Sequence, residues 1–322
     1  MDSVQTLSQL TDSLGPVLEN EPLKNHTTLG IGGGARFFYE AAHSDDLIKA
    51  VQTAEELNLK YFVLGGGSNV LVSDKGFDGL VIHAQNKNLR LQGEKIYVEA
   101  GVPNAEAARE TVNAGLTGIE WLATIPGTVG GAIYGNAGCF GKSIKNAVSK
   151  VDVYRTGAKK RLLKKDCQFS YRDSMFKRNN DIILSAELAL EPGEKQAGLK
   201  KIAEFMAQKK ETQPLDKRSA GSIFKNYAFH QPQDIESIKA KCDIPPEFLA
   251  AKKIPAGWLL EQVGAKGMKV GDIEISDKHA NYFINTGKGT ATQFIELLDS
   301  VKAKVKDQLG VELHEEIQLI GF

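Results

Sequence analysis

Two glycine-dense stretches limit what this chain can fold into: LGGGSN, Leu64 to Asn69, and IPGTVGGAIYGNAGCFG, Ile125 to Gly141. The longer one shows neither helical nor strand periodicity, so its residues are not chosen to bury a face. Glycine has no Cβ and reaches positive φ at little cost. Gly127, Gly130, Gly131, Gly135 and Gly138 can therefore let successive N–H groups converge on an anion, or lie flat against a ring. A packed loop between two domains is the plainer alternative, and for one glycine it would be the better reading. The clustering, repeated in the earlier knot, favours a ligand cradle.

The rest of the composition narrows the ligand. A chain of 322 residues has length for about two or three domains. Its 40 basic and 40 acidic residues cancel, so no global field draws it to nucleic acid or to an anionic membrane. Any anionic ligand must be held locally. Cys139, Cys167 and Cys242 are odd in number and lack CxxC spacing, which speaks against a disulfide framework and a zinc site. The scattered histidines form no metal set. The N-terminus has no apolar signal core and no later run reaches the roughly 20 apolar residues of a membrane span, so a cytoplasmic protein is expected.

Taken in order, the chain opens with a short amphipathic helix and an extended lead-in over residues 1–24. A strand follows over Arg36 to Ala41, then a helix with Leu47, Ile48, Val51, Ala54 and Leu57 on one face and Ser44 at its cap. The strand YFVL runs directly into the first knot, giving a strand–helix–strand unit. That knot lacks GxxxxGK[ST], and no GxGxxG stands at a strand–helix junction. After Ser68 and Asn69 the chain continues as the strand Val70 to Ser73, so a nucleotide here would be gripped by loop amides and hydroxyls rather than a helix dipole. Further on come a helix from Asn104, a hairpin over Val148 to Leu163 turning at Thr156 to Ala158, and YRDS, Tyr171 to Ser174, in a loop. A basic helix, KQAGLKKIAEFMAQKKETQPL, closes this part. Beyond it lie RSAGSIFKNY, two strands around Asp277 to Asn281, a long helix from Thr290 to Leu309 and a terminal strand in VELHEEIQLIGF.

The two knots, YRDS, GSIFKN and HEEIQLIG stand in one order over residues 25–321, and together they resemble the UDP-N-acetylenolpyruvoylglucosamine reductases, the MurB-type flavoenzymes of peptidoglycan synthesis. The resemblance implies an α+β protein: a two-part FAD-binding module of the vanillyl alcohol oxidase (PCMH) type, then an α+β substrate-binding domain. On this pattern residues 1–84 and 85–210 are the two FAD subdomains and 211–322 the substrate domain, with 311–322 returning to the active site. Gly65, Gly66, Gly67, Ser68 and Asn69 match the segment near the FAD pyrophosphate. Pro126, Gly127, Thr128, Gly130 and Gly131 match the one against the flavin and its phosphates.

The implied reaction reduces an enolpyruvyl ether of UDP-N-acetylglucosamine to the lactyl ether, with hydride passing from NADPH to non-covalent FAD and then to the β-carbon. Negative charge on the α-carbon and its carboxylate must be stabilised and then quenched by a proton. Ser222 matches the family's proton donor, and Arg172 and Glu316 match the residues aimed at the enolate and carboxylate. Guanidinium suits Arg172 to this, being always charged and presenting a fork; a surface ion pair with Asp173 is its bland alternative. Glu316 must be protonated in that step or paired with Arg172, and Glu315 is a neighbour that strand alternation sends to the opposite face. Lys225 and Asn226 match contacts to the nucleotide-sugar. His279 and Asn281 read as supporting structure.

The pattern departs from the family at Tyr227, where proline is usual, and around Gly135 and Cys139, where a thiol stands close to the implied flavin. The short connection after Met175 resembles the family's shorter type, which lacks a tyrosine-bearing loop. Implied partners are a UDP-linked amino sugar, no nucleic acid and no membrane, with the chain a monomer. Two other readings are another non-covalent FAD-linked oxidoreductase of the superfamily, since neither knot holds a histidine to tether flavin, and a non-catalytic flavin or nucleotide-sugar module.

Overall fold

A computed structural model describes residues 3–322, and the chain divides into two compact units. The first comprises Met1–Glu21, Gly34–Gly67 and Phe77–Lys209; the second comprises Pro22–Gly33, Ser68–Gly76 and Lys210–Phe322.

The first unit holds two sheets. In one, the strands run Leu18–Pro22, Gly34–Ala41, Phe77–Ala84 and Tyr61–Leu64, with the last three parallel. Parallel neighbours need a crossover, and the helix Ser44–Glu56 supplies it, burying Leu47, Ala50, Val51 and Ala54 against Phe37, Leu80 and Ile82. The cap of that helix is His43 rather than Ser44: the His43 N–H donates to Asp46 Oδ2 at 2.9 Å, while Ser44 Oγ donates to Glu99 Oε1 at 2.7 Å. The other sheet is antiparallel, in the order Ala158–Leu163, Val148–Arg155, Ile182–Ala189, Lys95–Glu99, Leu89–Gln92. Its hairpin turns through Thr156 (φ 46°) and Gly157 (φ 79°), two left-handed residues whose twist suits a two-residue loop. A separate apolar cluster around Trp121, Val151, Phe176 and Leu188 underlies this sheet.

The second unit packs the helix Ala291–Leu309 on a four-stranded antiparallel sheet ordered Arg218–Ser222, Tyr282–Asn285, Ile273–Ile275, Lys269–Val270. Phe294, Leu297, Leu298, Val301 and Val305 follow the helical period and meet Ile273, Ile275 and Phe283 in one core. Thr290 caps the helix, and the Asp74 carboxylate accepts from the Ala291 and Thr292 N–H groups at 2.8 and 2.9 Å. The terminal strand Gln318–Ile320 pairs in parallel with Val70–Val72. That pairing places Ser68–Gly76 in the second unit, although sequence order groups it with residues 1–84. Among the described residues no helix is long and apolar enough to cross a membrane.

Candidate active site

The two glycine knots lie against each other. A Cβ added at Gly66 would stand 2.6 Å from the Gly127 Cα, and one at Gly65 would stand 2.7 Å from Thr128 Oγ1. Gly130 is as tight, with its absent Cβ 2.7 Å from that of Ala100. No larger residue allows two backbones this close. The aperiodic appearance of the second stretch conceals a short helix, Val129–Tyr134, which forms because Thr128 Oγ1 accepts from the Gly131 N–H at 3.4 Å. Asn104, 2% exposed, holds the loop from behind: its N–H donates to the Gly127 carbonyl at 3.0 Å and its Nδ2 to the Ile125 carbonyl at 3.2 Å. Its Oδ1 is buried with no protein partner. Buried acceptors are seldom left so, and this one has its hydrogen-bonding capacity unused by the protein. Close backbones, a capping hydroxyl and an unused acceptor are groups that a flavin nucleotide fits.

Arg172 sits at left-handed φ (54°) in a tight turn closed by Ser170 and Asp173, which exchange backbone bonds at 2.9 and 3.3 Å. The turn is tied at both ends to the Val129–Tyr134 helix and the residues just after it, through Asn136 Nδ2 to the Ser170 carbonyl at 2.5 Å and Ser174 Oγ to the Tyr134 carbonyl at 2.6 Å. Lys177 fixes the Arg172 carbonyl at 2.9 Å, and the guanidinium lies 5.7 Å from the Tyr171 ring centre. The Asp173 carboxylate takes a hydrogen bond from Arg178, so it is engaged there.

In the second unit, the residue after Ser222, Ile223, pairs with Glu316. Gly221 (φ 77°) lies in a bulge where the stretch Ser219 to Ser222 faces only Ile284 to Tyr282, which re-aims Ser222. The next residues pair with the C-terminal stretch: the Glu316 N–H donates to the Ile223 carbonyl at 2.7 Å, and the Lys225 N–H to the His314 carbonyl at 2.9 Å. Asn281, 3% exposed, holds the other side. Its Oδ1 accepts from the Phe224 N–H and its Nδ2 donates to the Phe224 carbonyl, both at 2.9 Å, and its own carbonyl accepts from Ile223. Asn69 Nδ2 donates to the Glu316 carbonyl at 3.1 Å, and the Asn69 carbonyl accepts from Gln318 at 3.0 Å. The Asn69 amide therefore serves the Glu316 strand, and Ser68 and Asn69 group with the second unit while Gly65, Gly66 and Gly67 stay in the first. Lys225 is half-buried; Asn226 Oδ1 accepts from the Ala256 N–H at 3.2 Å.

Glu315 is diverted. It bonds Lys302, and although burial alone would raise its carboxyl, that lysine holds it below the usual range. Tyr227 donates to the Asp234 carbonyl at 3.0 Å, a structural use of the residue. Cys139 is half-buried between Thr124 Oγ1 and the Trp121 carbonyl, each 3.8 Å away, and burial pushes its thiol up, so it does not rest as a reactive thiolate. No group of three potential metal ligands exists among the described residues.

Over residues 213–320 the chain matches the family described as UDP-N-acetylenolpyruvoylglucosamine reductase, C-terminal domain, and over 35–157 the FAD binding domain. A curated protein of that reductase name from Solibacter usitatus is 38% identical across 95% of this chain and 97% of its own length. One from Carboxydothermus hydrogenoformans is 38% identical across 100% of both. The chain belongs to the UDP-N-acetylenolpyruvoylglucosamine reductase family. The crystal structure of a member from Thermus caldophilus, UDP-N-acetylenolpyruvylglucosamine reductase (MurB), matches at a TM-score of 0.74 and 30% identity, covering 95% of this chain and 98% of that one. The expected FAD-binding module and C-terminal reductase domain are both present. Asn281 acts as supporting structure, as expected, on the Phe224 backbone; the supporting parts that the motifs do not announce are Asn104 and the engagement of Glu315 by Lys302.

Proposed function

We propose that the chain catalyses the NADPH- and FAD-dependent reduction of UDP-N-acetyl-3-O-(1-carboxyvinyl)-glucosamine to UDP-N-acetylmuramate, a step of peptidoglycan synthesis. Gly65, Gly66, Gly67, Pro126, Gly127, Thr128, Gly130 and Gly131 would hold FAD, which supplies hydride taken from NADPH. Ser68 and Asn69 stand next in the same motif.

The observation that carries the reading is the backbone pairing of Ile223 with Glu316, which ties the strand of Ser222 to the strand of Glu316, while Glu315 bonds Lys302. As hydride reaches the β-carbon, the pair of electrons left on the α-carbon takes the proton of the Ser222 hydroxyl, and water restores that proton. A serine hydroxyl is a weak acid, so the acceptor must be a strong base, as a carbanion is. Glu316 serves the developing enolate, and Arg172 answers the substrate carboxylate with a permanent charge. Lys225 and Asn226 meet the nucleotide-sugar. The setting this reading implies is a cytoplasmic monomer with no nucleic-acid or membrane partner.

The purified protein should carry a yellow chromophore that is released on denaturation. Anaerobic NADPH should bleach it, and the enolpyruvyl nucleotide should restore the colour much faster than oxygen does. Rapid reoxidation by oxygen with no response to the nucleotide would point to an oxidase; a colourless protein that takes up no FAD would remove the flavoenzyme reading.

A further inference from the structure

The helix Lys195–Thr212 lies on the core of the first unit through Ile202 and Phe205, and Phe205 stacks on Phe140 with ring centres 4.5 Å apart. Lys201 and Lys209 flank Phe205 at one helical turn each, and so share its face. They reach the two ends of one short turn, Glu120–Thr124. Lys201 Nζ is 3.4 Å from Oε1 of Glu120, a carboxylate 1% exposed. Lys209 Nζ donates to the Thr124 carbonyl at 2.8 Å, immediately before the Ile125–Gly131 loop.

The two lysines differ in their company. Lys201 is half in solvent and has a carboxylate. Lys209 is 9% exposed, and among the described residues a carbonyl is the hydrogen-bond partner of its ammonium. The ionisable groups beside it are the Cys139 thiol and Arg172, a second cation; burial presses Lys209 toward its neutral form and Arg172 adds to that pressure. An apolar chain of similar length would fill this space without the cost of a buried charge. Packing alone therefore gives no account of lysine here. Negative charge arriving with a ligand would offset the cost, and the loop that Lys209 grips is the one that would hold the cofactor.

We propose that Lys209 is the buried counter-charge of the cofactor site, stabilising the negative charge that bound FAD gains on reduction. This rests on the reading of Ile125–Gly131 as half of an FAD clamp. It adds to the site a residue outside both glycine knots and outside the motifs that carry the family resemblance.

The test uses Lys209→Met, which removes charge and donor, Lys209→Gln, which removes charge but keeps a donor for Thr124, and Lys209→Arg, which keeps both. The midpoint potential of bound flavin and the melting temperature of the FAD-free protein are measured for each. The expected result is a two-electron potential about 30 mV more negative in Lys209→Met and Lys209→Gln, the equivalent of a tenfold weaker preference for reduced cofactor. Lys209→Arg should keep the wild-type potential, and the FAD-free Lys209→Met protein should melt no lower than wild type. A potential unchanged in both neutral variants overturns the proposal, and it is equally overturned if only affinity for the enolpyruvyl nucleotide falls, because the charge then serves the substrate carboxylate. Failure of the wild type to bind FAD would instead strike the underlying reading.

Discussion

The glycine loops of the first unit and the Ser222 edge of the second both hold backbone in a fixed place, by opposite means. Gly66 and Gly127 approach because side-chain atoms are missing, so the contact is a limit on how much may be added. The strands of Ser222 and Glu316 are held because side chains are present, with both halves of the Asn281 amide on Phe224 and the Asn69 amide on Glu316. One region should therefore be sensitive to gained atoms and the other to lost ones. A cofactor that remains bound through many turnovers suits a cradle of backbone. A proton donor needs a set direction, which side-chain hydrogen bonds supply.

Asn281→Ala should show the largest effect. It leaves the buried Phe224 N–H and carbonyl without their side-chain partner, which costs about 2–4 kcal/mol for two groups. In stopped-flow work, reoxidation by the enolpyruvyl nucleotide should slow while reduction by NADPH does not. Combined with Ser222→Ala, its effect on that half-reaction should be much less than additive; full additivity would show that Asn281 acts elsewhere. Gly66→Ala comes next, since its new Cβ would stand 2.6 Å from backbone that cannot swing aside. We expect a loss of about 1–3 kcal/mol and a sharp drop in the flavin retained through gel filtration, with the second unit's half of the chemistry intact in whatever protein remains loaded. Retained flavin at the wild-type level would break the contrast.

Glu187→Gln is the smallest, and it serves as a control in neither region. Burial would raise the Glu187 carboxyl, but hydrogen bonds from Ser149, Tyr97, Lys95 and Lys150 outweigh it and hold the group at about 2. A folded value below the unfolded one contributes stability that is complete above the unfolded value, near 4.5. That contribution is lost as the pH falls through about 2. Glu187→Gln should thus cost about 1–2 kcal/mol at neutral pH, allowing for screening, and the gap from wild type should close on acidification in chemical-denaturation curves. Flavin content and both half-reactions should stay as in wild type.

The same contrast explains which features are legible in the sequence. The glycine cradle is legible because a missing Cβ is written in the sequence, and so are the Thr156–Gly157 turn and the helix that Thr290 caps. The strands of Ser222 and Glu316 are neighbours through pairing across most of the second unit, which leaves no local pattern; only the resemblance to a family put them together. The return of Ser68–Gly76 to the second unit is hidden for the same reason, being a pairing with the last strand. At the cap, a reciprocal bond between Asp46 and the His43 N–H outcompeted the serine that composition favoured. Lys209 escaped because a lysine in the run QKKET looks like a solvated helix face, and burial of one position depends on what packs there.

On the proposed mechanism the Ser222 hydroxyl supplies the proton and the cofactor loops work without it. Ser222→Ala, loaded with FAD, should be reduced by NADPH at the wild-type rate, and its reoxidation by the enolpyruvyl nucleotide should slow by about 10²–10⁴-fold, the usual worth of a positioned acid. Reoxidation at the wild-type rate in that variant would contradict the account.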